Sequence, residues 1–419
     1  MRVFHPLRNP PTVLLWTGLS LSAIGDQLYA VCIGWIGVGI FGARAGYLTA
    51  LQFLVLLLAA LGIGRWADRW EQRRSMIGAD VVRAAILLAV VAAWLAAGRP
   101  SATGLIVAIV VLALCQAVFR PALQTVLPGV VADTAMLPAA NGLLDATDRS
   151  ARLIGPGLVG VLAGFVPIVH YLTIDAISFL FSAAALLWIG RLRPGLTSPR
   201  ATEREAVWRG VLRGIRALRA HPLLGFYLKA TGLVNGAWYA LFFLAVPLAI
   251  EQRGIHGPGG SGLGAYGLVI SAYGSTNLAA TLVFGSRLMP ARPQFQMFSG
   301  TIISGLGMML AGAALLLPAG WVLSGLMASA ALSAIGGPMK DIPMAVLRQT
   351  RVAPADMGAA MRAYMSATSA GQLAALLLLP GLIAAAGVLP VIIGCGVLVI
   401  TVGIVALVRF SDWSEPVLA

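Results

Sequence analysis

Charge is what this sequence has least of. Only 11% of its 419 residues are Asp, Glu, Lys or Arg, where a soluble domain carries about 25%, and 59% are apolar. A chain so poor in charge cannot clothe a water-facing surface of this size, which excludes a soluble globular protein and also a disordered or collagen-like one. Cysteine is scarce as well. Cys32, Cys115 and Cys395 are odd in number, far apart and match no metal-ligand spacing, so neither a disulfide framework nor a structural metal is expected. The four histidines, His5, His170, His221 and His256, are dispersed and form no catalytic or metal group. A phosphate-binding G-x-x-x-x-G-K-[ST] loop is missing too, which removes ATP as the direct energy source. No cofactor is expected.

What is abundant is the long apolar run. A helix crosses a hydrocarbon core of about 30 Å in about 20 residues. Runs of that length recur at 13–40, 45–65, 75–97, 104–131, 138–164, 167–190, 223–250, 263–285, 295–317, 320–347, 356–386 and 388–409. Barrel strands alternate in polarity and are only about ten residues long, so the runs are helices. No small-residue cleavage site follows the first of them, which is expected to be an uncleaved first span. The expectation is an all-α membrane protein of twelve transmembrane helices in two pseudo-symmetric six-helix bundles.

The charge that exists is lopsided, with 29 basic residues against 15 acidic ones for a formal +14. Turnarounds on one side carry Arg65, Arg69, Arg73 and Arg74, then Arg149 and Arg152, the stretch from Arg191 to Arg219, Arg287, Arg292, Arg348, Arg351 and Arg409. The other side has only Arg44, Arg99 and Arg253. The positive-inside rule puts both termini in the cytoplasm and accounts for the excess without nucleic acid. Richness in Ala, Gly and Arg over Lys fits a GC-rich bacterial genome, hence a bacterial cytoplasmic membrane.

The longest polar stretch, 191–222, divides the chain into bundles 1–190 and 223–419, with a cytoplasmic linker between them. Within the linker Trp208, Val211, Leu212, Ile215 and Leu218 recur at helical spacing, with Arg209, Arg213 and Arg216 on the other side. Two placements fit such an amphipathic helix: on the anionic inner leaflet, or free as a solvated linker. The halves also echo each other at an offset of about 220. Arg120-Pro121 answers Lys340-Asp341, and Gly64-Arg65 answers Gly285-Ser286-Arg287. Repeated halves of this kind place substrate near the midplane and work by rocking.

The loop after the second run reads Gly64-Arg65-Trp66-Ala67-Asp68-Arg69-Trp70-Glu71-Gln72-Arg73-Arg74. It resembles the G-x-x-x-D-R-x-x-x-R-R signature of the major facilitator superfamily. Gly155-Pro156-Gly157 with Gly160 and Gly164 looks like a shortened form of the Gly-Pro motif of that superfamily's antiporters. The run from Arg209 to Arg216 ending in His221-Pro222, and Pro138-Ala139-Ala140-Asn141-Gly142, are similar to a subgroup that includes the enterobactin exporter and macrolide efflux proteins. The resemblance covers essentially the whole chain and implies the major facilitator fold and alternating access. It also implies that Asp68, with Arg69, Arg73 and Arg74, fastens the two halves on the cytoplasmic side, the aspartate facing the start of the eleventh span near Asp356-Met357-Gly358. Asp133 is a candidate partner for these arginines. The second copy, Gly285 to Arg292, lacks the aspartate.

Charge at bilayer depth is costly and needs a partner or a task. Asp26 lies about thirteen residues into the first span, near the midplane at 1.5 Å per residue. Its chain neighbours include Gln27 and Tyr29, and no basic residue sits within a turn. Proton or substrate coupling is its expected role, a structural hydrogen bond the alternative. Asp175 lies mid-depth in the sixth span with the same two readings open. Arg120 and the Lys340-Asp341 pair sit in the inner halves of their spans, where gating and pairing are favoured over anion binding. Asp145, Asp148, Arg149 and Arg152 fall at i, i+3, i+4 and i+7, a spacing that allows self-neutralising pairs as a structural face or an inner gate. Asn235, Trp238, Tyr239 and Phe242 share one helical face, with Phe243 beside them, and Tyr273 and Asn277 follow in the next span. They are candidates for a cavity wall against ring-bearing ligands, or simply helix-packing aromatics. Gly262 to Gly267 matches G-x-G-x-x-G, but no strand precedes it and Ser286-Arg287 stands where an acid belongs. Helix packing by small residues accounts for it better.

The function expected is secondary active transport: proton-coupled export of a small amphipathic molecule, a drug or siderophore, by a monomer in the lipid bilayer. A lipid or lysophospholipid flippase of the same fold is the alternative. An intramembrane enzyme would need paired carboxylates or a Ser/His set at facing depths, and none is found.

Overall fold

A computed structural model describes residues 5–62, 71–131, 136–162, 165–192, 207–257, 260–286 and 292–413. The regular elements among them are all helical. The first half holds α1 (Pro10–Phe41), α2 (Ala45–Gly62), α3 (Gln72–Ala97), α4 (Ala102–Val131), α5 (Leu137–Leu162) and α6 (Val169–Leu192). A short α7 (Val207–Arg219) precedes α8 (Pro222–Ala240), α9 (Val246–Arg253), α10 (Gly262–Gly285), α11 (Pro293–Ala314), α12 (Ala319–Arg351), α13 (Met357–Ala386) and α14 (Val388–Arg409).

Among the described residues, ten segments are long and apolar enough to cross a membrane. The first, Pro10–Leu56, is 47 residues long, more than twice one crossing, and contains α1 and most of α2. The 26-residue α5 falls outside that count, because Asp145, Asp148, Arg149 and Arg152 all lie within it. With these two resolved, the twelve expected spans are present, and the protein is an all-helical, multi-pass membrane protein. The expected bounds hold within a few residues. The ninth span is shorter than expected, its helix ending at Ala314 rather than 317.

Local chemistry sets the ends and the breaks. Pro10 and Pro11 open α1, where a missing N–H is harmless, and Asn9 Nδ2 donates to Thr12 Oγ1 (3.1 Å) and to the Val130 carbonyl (2.8 Å). Gly42 turns the chain after α1 at φ +56°, a conformation L side chains resist. Pro247 has no N–H to return to the preceding turn, and the helix opens into a π segment at Leu241–Ala245. Tyr266 Oη donates to the Phe242 carbonyl there (2.9 Å).

The contacts group the chain into two compact units, Met1–Ile40 with Leu51–Arg204, and Phe41–Ala50 with Glu205–Ala419. Residues 41–50 thus pack with the second unit rather than with the half that precedes them. Gly46 allows it: a Cβ there would lie 3.1 Å from the Leu376 carbonyl of α13. The first unit centres on Met76, Phe119, Val130, Leu186 and Ile189, and the second on Leu223, Leu224, Met297, Leu347 and Ala406.

Lipid is as apolar as leucine, so close backbone approach holds such helices together. Gly232 and Gly236 on α8 meet Gly371 on α13, with a Cβ at Gly236 only 2.5 Å from the Gly371 carbonyl. On α11, Gly300 and Gly307 meet α12 at Gly336 and Ser333, and Gly305 meets α14 at Gly396 and Ile400. Ser304 Oγ adds a bond to the Ser333 carbonyl (2.9 Å).

The linker helix corrects both placements expected for it. Its apolar side is covered by protein: Leu218 is fully buried, and Val211 and Ile215 pack with Ala360, Ala363 and Met357 of α13. Gly214 rests on the Ala359 carbonyl, and Arg213 Nε pairs with Asp356 Oδ1 (3.4 Å). Trp208 and Leu212 alone of the apolar set stay exposed. Linker residues 193–206 lie outside the described residues.

Gly371→Ala is expected to destabilise the second unit by about 1–3 kcal/mol, the range for overpacking, because its methyl would enter the Gly232 backbone. Gly394→Ala, which meets nothing within 4 Å, is expected to be neutral or stabilising. Thermal unfolding in detergent checks the contrast.

Candidate functional site

The site of most chemical interest lies in the first unit, and small residues on α1 and α5 create it. At Gly18 α1 comes so close to α6 that an added Cβ would lie 3.3 Å from Ala185 Cβ, and Gly25 seats it against the side chains of Asp175 and Ser178. On the other flank Gly155 of α5 receives Gln27. The Gly-Pro segment therefore acts, at least at Gly155, as the small surface that admits the neighbour of Asp26. With α1 held on both sides, Asp26 faces a cavity of about 70 Å³ shared with Ser22, Arg83, Gln116, Phe119, Arg120, Thr147 and Asp148. That volume suits a few waters or a small charged head, not a ring-bearing molecule.

The cavity corrects the picture of an isolated aspartate. No basic residue is near Asp26 in sequence, yet α3 and α4 bring Arg83 and Arg120 to the same chamber. Each arginine has a carboxylate of its own. Arg83 Nη1 lies 3.4 Å from Asp80 Oδ1, with 7% and 0% of the two side chains exposed. The Phe119 and Phe179 rings flank the guanidinium at 4.9 and 5.2 Å, a favourable setting for a desolvated cation. Arg120 Nη1 lies 3.2 Å from Asp148 Oδ2. This last pair also revises the face expected on α5: Asp148 reaches across to α4. Arg120 is accordingly a pairing residue. Among the residues lining the cavity, Asp26 is the acid left over.

Around this chamber sit further buried polar groups. Ser178 Oγ donates to the Asp175 carbonyl (2.7 Å) and to Asp175 Oδ1 (3.3 Å), the structural bond envisaged for Asp175. Among the described residues, Asp175 Oδ2, Asp80 Oδ2 and the Tyr29 hydroxyl are buried without a hydrogen-bond partner. Asp80 and Arg83 are absent from the candidates drawn from the sequence. Their signal is there to be seen: two opposite charges at i, i+3 inside an apolar run are costly unless paired.

In the second unit, Lys340 Nζ and Asp341 Oδ1 are 3.5 Å apart, the lysine buried and the aspartate half exposed. Tyr227 Oη donates to Asp341 Oδ1 (3.1 Å), and Lys340 lies 5.9 Å from the Tyr227 ring centroid. The proposed cavity wall is brought together as an aromatic cluster. Trp238 meets Phe242 at 5.7 Å and Tyr273 at 5.4 Å, and Tyr239 stacks on Phe243 at 4.5 Å. Its two asparagines are engaged: Asn235 Nδ2 bonds to the Thr231 carbonyl (3.0 Å), and Asn277 Nδ2 to the Ala334 carbonyl of α12 (3.1 Å). Packing describes Phe242, Asn235 and Asn277 better than ligand lining.

Of the gating set, Arg73 and Arg74 both pair with Glu71, Arg73 Nε at 3.3 Å, and Arg73 lies across Gly190 of α6. Asp68, Arg69 and Asp133, and the side chains of Asp145, Arg149, Arg152, Pro156 and Gly160, lie outside the described residues.

Arg83→Ala should leave Asp80 buried and unpaired, at a cost of about 3–5 kcal/mol. The double variant Asp80→Ala/Arg83→Ala should recover part of that loss. Thermal unfolding of the purified variants tests the pair, and equal stability of Arg83→Ala and the parent would dissolve it.

Comparison with known proteins places this geometry. The family profile of the Major Facilitator Superfamily matches residues 15–322. Among solved structures, a bacterial homologue of the iron transporter ferroportin in an inward-facing state aligns with a TM-score of 0.71 at 16% identity, over 97% of this chain and 99% of that one. An auto-inhibited peptide transporter of the POT family aligns with a TM-score of 0.70 at 14% identity, over 97% and 98%. A second POT transporter, in complex with a thioalcohol-conjugated peptide, gives 0.66 at 12% identity, over 95% and 96%. No curated protein matches the sequence. Identities this low speak for the fold alone, but the family profile covers most of the chain. The protein belongs to the Major Facilitator Superfamily and has the fold of a secondary transporter.

Proposed function

We propose that this transporter is a proton-coupled exporter of a small amphipathic molecule, drug-like or siderophore-like, in the cytoplasmic membrane of a bacterium. The observation that carries the proposal is the charge count around the α1 cavity. Arg83 is matched by Asp80, just outside the lining, and Arg120 by Asp148, so that, among the described residues, counting Asp80 with the groups lining a chamber of about 70 Å³ leaves Asp26 as one surplus negative charge. A buried surplus charge demands neutralisation, and either a proton or a cationic or hydrogen-bond-donating head of the cargo supplies it. The two compete for one carboxylate. Competition of this kind couples opposed flows: a proton arriving from outside displaces the cargo, and its loss to the cytoplasm readmits cargo there.

Two further features support the wider reading. The Gly155-Pro156-Gly157 segment resembles a shortened form of the Gly-Pro motif of the superfamily's antiporters, and the approach to α8 resembles the enterobactin-exporter and macrolide-efflux subgroup. The arginine bias between spans favours cytoplasmic termini. Asp68 with Arg69, Arg73 and Arg74 then belongs to a cytoplasmic fastening loop.

Inverted vesicles with an imposed pH gradient, loaded against a panel of antibiotics and siderophores, test the proposal. The parent protein should accumulate its cargo only with the gradient. Asp26→Asn, which carries the neutral charge of the protonated carboxyl, should abolish gradient-driven accumulation and weaken cargo binding and cargo-for-cargo exchange at equal pH. Undiminished gradient-driven transport by Asp26→Asn would remove the carboxylate from the coupling.

A further inference from the structure

On the second unit, a groove of about 560 Å³ runs between α8 and α14. Its walls are apolar, among them Phe226, Leu233, Val402 and Val405, and three cations line it: Arg219, Lys229 and Arg409. Among the described residues no acid lines it, and none of the three cations is ion-paired. Both flanking helices are long and apolar enough to cross the membrane, and Leu233 and Val405 are about half exposed, at 53% and 51%. Exposed apolar surface on a spanning helix faces acyl chains.

Local packing fixes this arrangement. Gly225 lets the turn after α7 fold back, since a Cβ there would come within 3.2 Å of the Arg219 backbone. Arg219 therefore sits over the first turn of α8, at the same end as Arg409, the last residue of α14. Phe226 packs edge-on to Phe410 at 5.5 Å and floors the groove there. Lys229 lies about 10 Å along α8 from Pro222 at 1.5 Å per residue, within reach of that end for a long, flexible stem. Below it the walls are aliphatic except for Thr401, whose hydroxyl is spent on the Val397 carbonyl of its own helix. The groove is thus cationic at one end and oily along its length.

We infer that this groove binds an anionic glycerophospholipid, its phosphate held by Arg219, Lys229 and Arg409 and one acyl chain laid against Leu233, Val402 and Val405. Charge complementarity selects the head group: three cations without carboxylates attract a phosphate that carries net negative charge, and a zwitterionic head offers less. The apolar length selects a lipid over a free anion, because inorganic or glycerol phosphate would occupy the cationic end and leave the walls uncovered. The site belongs to the second unit alone and does not depend on Asp26 or on the cargo.

Native mass spectrometry of the purified full-length protein tests the site, with phosphatidylglycerol, phosphatidylcholine of the same acyl composition, and glycerol 3-phosphate as probes. Phosphatidylglycerol should be retained at least about tenfold more tightly than phosphatidylcholine. The variant Arg219→Ala/Lys229→Ala/Arg409→Ala should erase that preference. Leu233→Trp/Val405→Trp keeps all three cations but fills the groove, and should lower phosphatidylglycerol retention about as much; it tests the site independently of how the triple variant folds. Equal retention of the two lipids by the parent, full preference in either variant, or displacement of phosphatidylglycerol by millimolar glycerol 3-phosphate would overturn the inference.

Discussion

A charge placed inside a bilayer must be neutralised by a neighbour or by a proton, and the first unit is organised around that demand. Arg83 and Arg120 enter the bundle from α3 and α4, and each meets a carboxylate, Asp80 from its own helix and Asp148 from α5. Phe119 and Phe179 shield the first pair from its surroundings. Asp26 shares the chamber with both arginines but stands outside these pairings. The proposed coupling rests on this one carboxylate.

Backbone proximity makes the chamber and the rest of the fold possible. Gly18 and Gly25 bring α1 to α6, and Gly155 admits Gln27 from the opposite flank. In the second unit the same device joins α8 to α13 and α11 to both α12 and α14. Many of the 49 glycines therefore serve helix interfaces rather than loops. Where close packing stops, as between α8 and α14, cations that have no ion pair among the described residues stand beside apolar wall, the surface proposed for lipid.

The span count is legible in the sequence because a run of some 20 apolar residues is long enough to cross a bilayer and too long for an ordinary strand. Asp26 is legible for the related reason that a lone carboxylate in such a run stands out. Its surroundings are not: Arg83, Arg120 and Asp148 lie on three other helices, and only packing brings them to one cavity. Asp80 and Arg83 escape a reading that looks for basic residues at the turnarounds, since both sit inside the third span. Charge spacing on α5 suggests pairs within the helix, whereas Asp148 finds Arg120 across the bundle. The periodicity of 208–218 gives an amphipathic helix, but periodicity says only that a face is apolar, not whether lipid or Ala360 and Ala363 will cover it. The break at Leu241–Ala245 is readable in principle from Pro247; the bond from Tyr266 that occupies it is not.

Infrared difference spectroscopy of the carboxyl groups reads the proton on Asp26 without any cargo. As the pH of the purified protein is lowered, Asp26 should gain a protonated-carboxyl band that is missing from Asp26→Asn, while the bands of the paired Asp80 and Asp148 persist in that variant. A difference spectrum unchanged by Asp26→Asn would show that this carboxylate takes no proton, and the charge-competition account would fail.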